Sequence, residues 1–138
     1  MIRFSEIINK WLPELEKINV ANIFIGIDAR NPPGEADCPF IVIFPGTIPV
    51  GHEITKNIRL SLDWGVINET ITKKGKSTIY NGIFDADSIG IEIVDSLLNL
   101  FPDLNISIEY EIEGINHFPL MVGGMEINIE MPSIIGNI

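Results

Sequence analysis

Three stretches of this chain alternate apolar and polar residues with a period of two. That pattern limits the fold more than any other feature of the sequence. Ile58, Leu60, Leu62, Trp64 and Val66 are interleaved with Arg59, Ser61, Asp63 and Gly65. Ile106, Ile108, Tyr110 and Ile112 alternate with Ser107, Glu109, Glu111 and Glu113. Met125, Ile127, Ile129 and Met131 alternate with Glu126, Asn128 and Glu130. Successive side chains of a strand point to opposite faces, so each stretch reads as a strand with one apolar and one polar side. A sheet built from such strands packs helices on one face and leaves the other to solvent or to a polar partner.

The remaining elements suit that sheet. Phe4, Ile7, Ile8, Trp11, Leu12 and Leu15 recur at helical spacing, predicting a helix over residues 4–17 with Ser5 as its cap and a possible kink at Pro13. Val20 to Asp28 reads as a strand carrying Ile23, Ile25 and Ile27, and Asn31 to Asp37 as a loop. Phe40 to Phe44 is apolar at every position, as expected of a central strand covered on both faces. Residues 68–82 read as an exposed polar connection. Asp85-Ala86-Asp87-Ser88 opens a second helix whose buried stripe is Ile89, Ile93, Val94, Leu97, Leu98 and Phe101, with Pro102 beyond its end. Between the last two strands, Gly114 to Gly124 is long for a hairpin connection, and Gly123-Gly124 reads as a turn or bulge.

The order is therefore α-β-β-β-α-β-β in one domain spanning residues 1–138. The fold class is α+β: a mostly antiparallel sheet with both helices on one face. Trp11, Leu12, Ile93 and Leu97 should meet Phe40, Val42, Leu60 or Leu62.

Charge narrows the function. Nine Lys and Arg against nineteen Asp and Glu leave a formal charge of -10. Such a chain repels phosphate, so sequence-independent binding of duplex DNA is not expected. The sequence has no run of ~20 apolar residues and its N-terminus lacks the apolar block of a leader, so a soluble cytoplasmic protein without membrane contact is expected. The single cysteine, Cys38, reads as a small buried hydrophobe; as a nucleophile it would need His52 or His117, the two histidines, as its base. Those three residues do not make a convincing zinc site, and phosphate-loop, dinucleotide and serine-elbow motifs are missing from the sequence. Asp85 and Asp87 could hold a divalent cation, but at a helix start acidic residues more often serve the exposed N–H groups and the dipole.

Two charged groupings remain. Lys73, Lys74 and Lys76 gather three of the nine basic residues in one connection, either a plain solvated loop or a contact with an acidic neighbouring subunit. Glu109, Glu111, Glu113, Glu126 and Glu130 should share one sheet face if the last two strands pair in the register of their alternation. Such a face is either plainly solvated or, because like charges opposite one another destabilise paired strands, a surface kept anionic for a use.

The element order, together with Cys38-Pro39-Phe40-Ile41-Val42-Ile43-Phe44-Pro45-Gly46, the strand through Trp64-Gly65-Val66, the helix start at Asp85-Ala86-Asp87 and the closing acidic hairpin, resembles the tail terminator proteins of long-tailed bacteriophages. A related head–tail connector protein would look similar. The resemblance implies a non-enzymatic, cofactor-free structural protein. Such a protein forms a ring, commonly a hexamer, on the last ring of the tail tube. It stops tube polymerisation and presents a surface to the head connector protein. DNA would pass through it without specific binding. The implied location is the host bacterial cytoplasm during assembly, then the virion tail. On that reading the acidic face would line the channel and the three lysines would lie in the subunit interface. Two other readings stand beside it: an acidic adaptor acting as a monomer, and a small metal-dependent hydrolase using Asp85 and Asp87.

Overall fold

A computed structural model describes residues 3–26, 28, 30–46, 57–113 and 118–130. The elements run α1 (Phe4–Leu15), β1 (Asn22–Ile25), a 3-10 turn (Glu35–Asp37), β2 (Phe40–Pro45), β3 (Asn57–Ile67), β4 (Ile71–Lys74), β5 (Ser77–Tyr80), α2 (Gly82–Leu100), β6 (Asn105–Ile112) and β7 (Leu120–Glu130). Five strands form one sheet in the order β1-β2-β3-β7-β6, and β4 and β5 form a separate two-stranded sheet. Only β1 and β2 pair in parallel; the other pairings are antiparallel. The fold is α+β, as the alternation predicts.

Both helices cover the same sheet face. Ile7, Ile8, Trp11 and Leu15 of α1 and Ile89, Ile93 and Leu97 of α2 share one buried cluster with Ile41, Ile43, Leu60, Leu62, Trp64, Met125 and Ile127. The helices are also tied polarly. The Trp11 indole N–H donates to Ser96 Oγ at 2.9 Å, and Ser96 donates onward to the Ile93 carbonyl at 2.7 Å. The Trp64 indole N–H donates to the Ala86 carbonyl at 2.8 Å, fixing α2 on β3.

Several expectations need correction. Phe40 and Val42 do not meet the helices. They pair with Gly65 and Asp63, whereas Ile41 and Ile43 pair with Trp64 and Leu62, so the register turns them to the opposite face. They are nonetheless buried there, which is why β2 is apolar throughout. Leu12 is only half-buried. The first helix ends at Leu15 and begins at Phe4, with Arg3 rather than Ser5 at its N-cap. The second begins at Gly82, a turn earlier than its acidic signal; Gly82 packs against Met121 and Ala86 is fully buried, so the first turn already has a buried side. Residues 68–82 contain the β4–β5 hairpin, exposed at every position from 71 to 78. Its turn residue Gly75 takes φ +61°, the left-handed value that a two-residue hairpin loop requires at its first position.

β1 is shorter than the stretch from Val20 to Asp28, and Ile27 lies outside the described residues. Gly123 and Gly124 are neither turn nor bulge. They are interior residues of β7, which starts at Leu120 and so shortens the connection after β6. Met131 and Gly114 lie outside the described residues.

Candidate functional site

The register across β3, β7 and β6 decides what the polar sheet face carries. Glu126 pairs with Ser61 on one side and Glu109 on the other. Gly124 pairs with Asp63 and Glu111, Asn128 with Arg59 and Ser107, and Glu130 with Asn57 and Asn105. The Glu113 N–H donates to the Val122 carbonyl at 2.8 Å, extending the ladder by one rung. Cross-strand partners share a face. Glu109, Glu111, Glu113, Glu126 and Glu130 therefore all stand on the side away from the helices, and each is exposed. The period-two pattern brings together every carboxylate expected there.

Asp63 joins them, although its neighbours in sequence gave no sign of a role. It sits half-buried between the glutamates, and a side chain on Gly124 would come within 3.3 Å of its Oδ1. Burial, then the charges of Glu113 and Glu126, push its pKa above the usual carboxylate value. Asp63, Glu109, Glu111, Glu113 and Glu126 line an open concavity of about 510 Å³ with Tyr110, Gly124 and Met125. What could have found Asp63 is its place in the alternation of β3 directly beside Gly124, and that pairing is invisible without the register.

Neutral donors bond two of these carboxylates, and Arg59 stands exposed on the same face, lining a shallow depression with Glu109 and Glu126. Ser61 Oγ donates to the Glu126 carboxylate at 2.7 Å, and Asn105 Nδ2 donates to Glu130 at 2.8 Å. Among the described residues the ion pairs are Lys17–Glu14 and Arg30–Asp28, both elsewhere.

Lys73, Lys74 and Lys76 lie on the β4–β5 hairpin, at and beside its turn. The root of the hairpin is pinned. The Asn81 amide donates to the Thr70 carbonyl at 3.2 Å and to Thr72 Oγ1 at 2.9 Å, and Tyr80 packs edge-on against Phe118 with ring centroids 5.5 Å apart. Among the described residues the tip shows no such ties to the body.

Asp85 and Asp87 are held apart by separate partners. Asn68 Nδ2 donates to Asp85 Oδ2 at 2.7 Å, and the Tyr110 hydroxyl donates to Asp87 Oδ1 at 2.6 Å. The second bond keeps the Tyr110 phenol above its usual pKa. Asp85 lies in the first turn of α2, where its charge suits the dipole, but Asn81 is the N-cap residue. Among the described residues no group of three or more His, Cys, Asp and Glu side chains is placed to hold a metal ion.

Cys38 is half-buried, its thiol 3.6 Å from the Gly34 carbonyl. Burial, then Asp37 and Glu35, push its pKa to about 11, which keeps it a protonated thiol and a poor nucleophile near neutral pH. His52 and His117 lie outside the described residues. Among the described residues no helix is long and apolar enough to cross a membrane.

The chain matches no protein-family model. A search of curated proteins likewise finds no match.

Proposed function

We propose that this chain is a structural subunit of a ring, of the kind that caps the tail tube of a long-tailed bacteriophage, and that its acidic sheet face lines the channel. The observation that carries the reading is the excess of negative charge on one side of the sheet: five exposed glutamates and Asp63 gathered on the face opposite the helices, with Arg59 the one cation of the described strands there. DNA leaving through a tail passes at close quarters. A cationic wall would bind its phosphates and stall it, whereas an anionic wall repels them and lets the duplex slide. Such a wall costs self-repulsion within the ring, partly screened over ~8 Å at physiological ionic strength. In this reading the helices face outward, and the ring's ends meet the tail tube and the head connector.

Electron microscopy of the purified chain at high concentration tests the assembly, with closed rings around an open centre as the expected particles. The channel assignment is tested separately. A gold label on Glu111→Cys, in a Cys38→Ser background, should fall at the ring centre. Gold at the periphery would overturn the channel assignment while leaving the ring. Particles without a central opening would overturn the ring.

A further inference from the structure

The β4–β5 hairpin is an arm without a core of its own. Every residue from Ile71 to Thr78 is exposed, and an isolated two-stranded hairpin is marginally stable in water at best. The arm carries Lys73, Lys74 and Lys76, and Ile71 at its base is 42% exposed. A second unmatched surface lies on α2. Phe84, Ile91 and Leu98 are 58%, 48% and 42% exposed. Their seven-residue spacing places them along one ridge of the helix. Scattered exposed apolar residues are ordinary, but a periodic ridge on an otherwise amphipathic helix is an interaction stripe. Asp85, Glu92 and Asp95 are exposed along the same outward side.

We propose that the arm of one copy lies along the outer face of α2 of the next copy, its lysines against Asp85, Glu92 and Asp95 and Ile71 against the Phe84–Ile91–Leu98 ridge. The proposal names the contact within the ring reading, and rests on that reading only for the presence of a second copy. Charge selects the occupant. A second α2 laid on the ridge would oppose Asp85, Glu92 and Asp95 with their own kind, at a cost. Among the described residues the arm is the one place where three lysines gather, so it is the surface of opposite sign. The acidic sheet face offers charge to the lysines, but it also carries Arg59, and Phe40 and Val42 on that face are buried, so it gives Ile71 no exposed apolar ridge. The arm leaves its own α2 uncovered, since residues 71–78 are exposed throughout, so the contact is made between copies. Four strand residues reach ~13 Å, and the ridge from Phe84 to Leu98 runs ~21 Å, so the arm covers more than half of it. A contact between two different patches is heterologous, and repeated at a fixed rotation it closes a ring.

Sedimentation velocity of the full chain over a concentration series tests this. Lys73→Glu/Lys74→Glu/Lys76→Glu should weaken association about tenfold or more through like-charge contact, and so should Glu92→Lys/Asp95→Lys. Combining the two sets should restore most of the loss. All five residues are exposed, so thermal unfolding of the monomer should stay near that of the parent. As an independent check, Lys76→Cys mixed with Asp95→Cys, both in Cys38→Ser, should form a disulfide between copies under mild oxidation. Unchanged association in the arm variant, with oligomers still present, overturns the arm contact and leaves the ring standing. Rescue of the arm variant by Glu109→Lys/Glu111→Lys/Glu126→Lys instead of the helix set overturns it in favour of the sheet face. A chain that stays monomeric at every concentration removes both the contact and the ring.

Discussion

Gly123 stands directly opposite Trp64 across β7 and β3, and a Cβ added to it would lie 2.2 Å from the indole carbons. The missing side chain is the space that the indole occupies. Trp64 is fully buried and reaches past Gly123 to donate its N–H to Ala86. Gly123→Ala should therefore cost on the order of 3 kcal/mol, because ring and strand must both shift. Gly34→Ala is the control: nothing lies within 4 Å of its added Cβ, and its effect should stay under ~0.5 kcal/mol. Urea unfolding of both variants measures the difference.

The Ser96 hydroxyl is the partner of a fully buried indole. Ser96→Ala should cost roughly 1–3 kcal/mol by leaving the Trp11 N–H without an acceptor. In a Trp11→Phe background the same change should cost much less, since no donor is then stranded. A double-mutant cycle in denaturant reads the coupling, and strict additivity would remove Ser96 from this role.

Asp63 gives a pH dependence of definite sign. Its folded-state pKa is raised by burial and by Glu113 and Glu126, so the folded protein binds its proton more tightly than the unfolded chain does. The ionised carboxylate therefore subtracts stability above the folded pKa, and the loss fades as pH falls toward the unfolded value of about 3.9. Asp63→Asn should be more stable than the parent at pH 7, with the advantage shrinking on acidification through that window. Thermal melts across the range check it; an advantage that grows at acid pH would contradict the cause assigned.

Glu109 and Glu126 are direct cross-strand partners. Glu109→Gln should raise stability by roughly 0.3 kcal/mol at low ionic strength by removing that opposition. The gain should shrink as salt screens the pair. Melting temperatures of parent and variant at low and high sodium chloride supply the comparison.

Asn68 and Tyr110 occupy Asp85 and Asp87 separately. A cation bridging the two carboxylates would have to compete with both bonds. Melting the protein with Mg²⁺, Ca²⁺ or a chelator should consequently give one and the same midpoint. A rise with either ion, reversed by chelator, would revive the metal-dependent reading, since binding to the native state raises stability.

The sheet's two faces were legible because a half-buried strand writes its orientation in alternate residues. The alternation alone places the glutamates of β6 and β7, and the unbroken apolar run marks β2 as covered on both faces. Other features depend on contacts distant in sequence. Gly123 and Gly124 look like turn residues until Trp64 and Asp63 are set beside them. The start of α2 looks like Asp85 until Ala86 is seen buried under Trp64. The β4–β5 arm lacks an apolar face, so its Thr, Lys and Ser residues carry no periodic signal. The opposite facing of Phe40 and Val42 follows from a register that an all-apolar strand leaves unwritten. Of the charged site, the five glutamates were readable as a face, whereas Asp63 became its sixth member only through the pairing of β3 with β7.

Among the described residues the sheet ends on one side at β6, which has no further strand beside it. Eight residues of open edge would ordinarily invite another chain to add itself and seed a growing aggregate. Here Glu109 and Glu111 stand on that edge, and any strand docking beside it must bring its own side chains against them. An edge so charged is expected to resist cross-β growth. The same carboxylates that burden the folded sheet with repulsion thus act as gatekeepers of its edge.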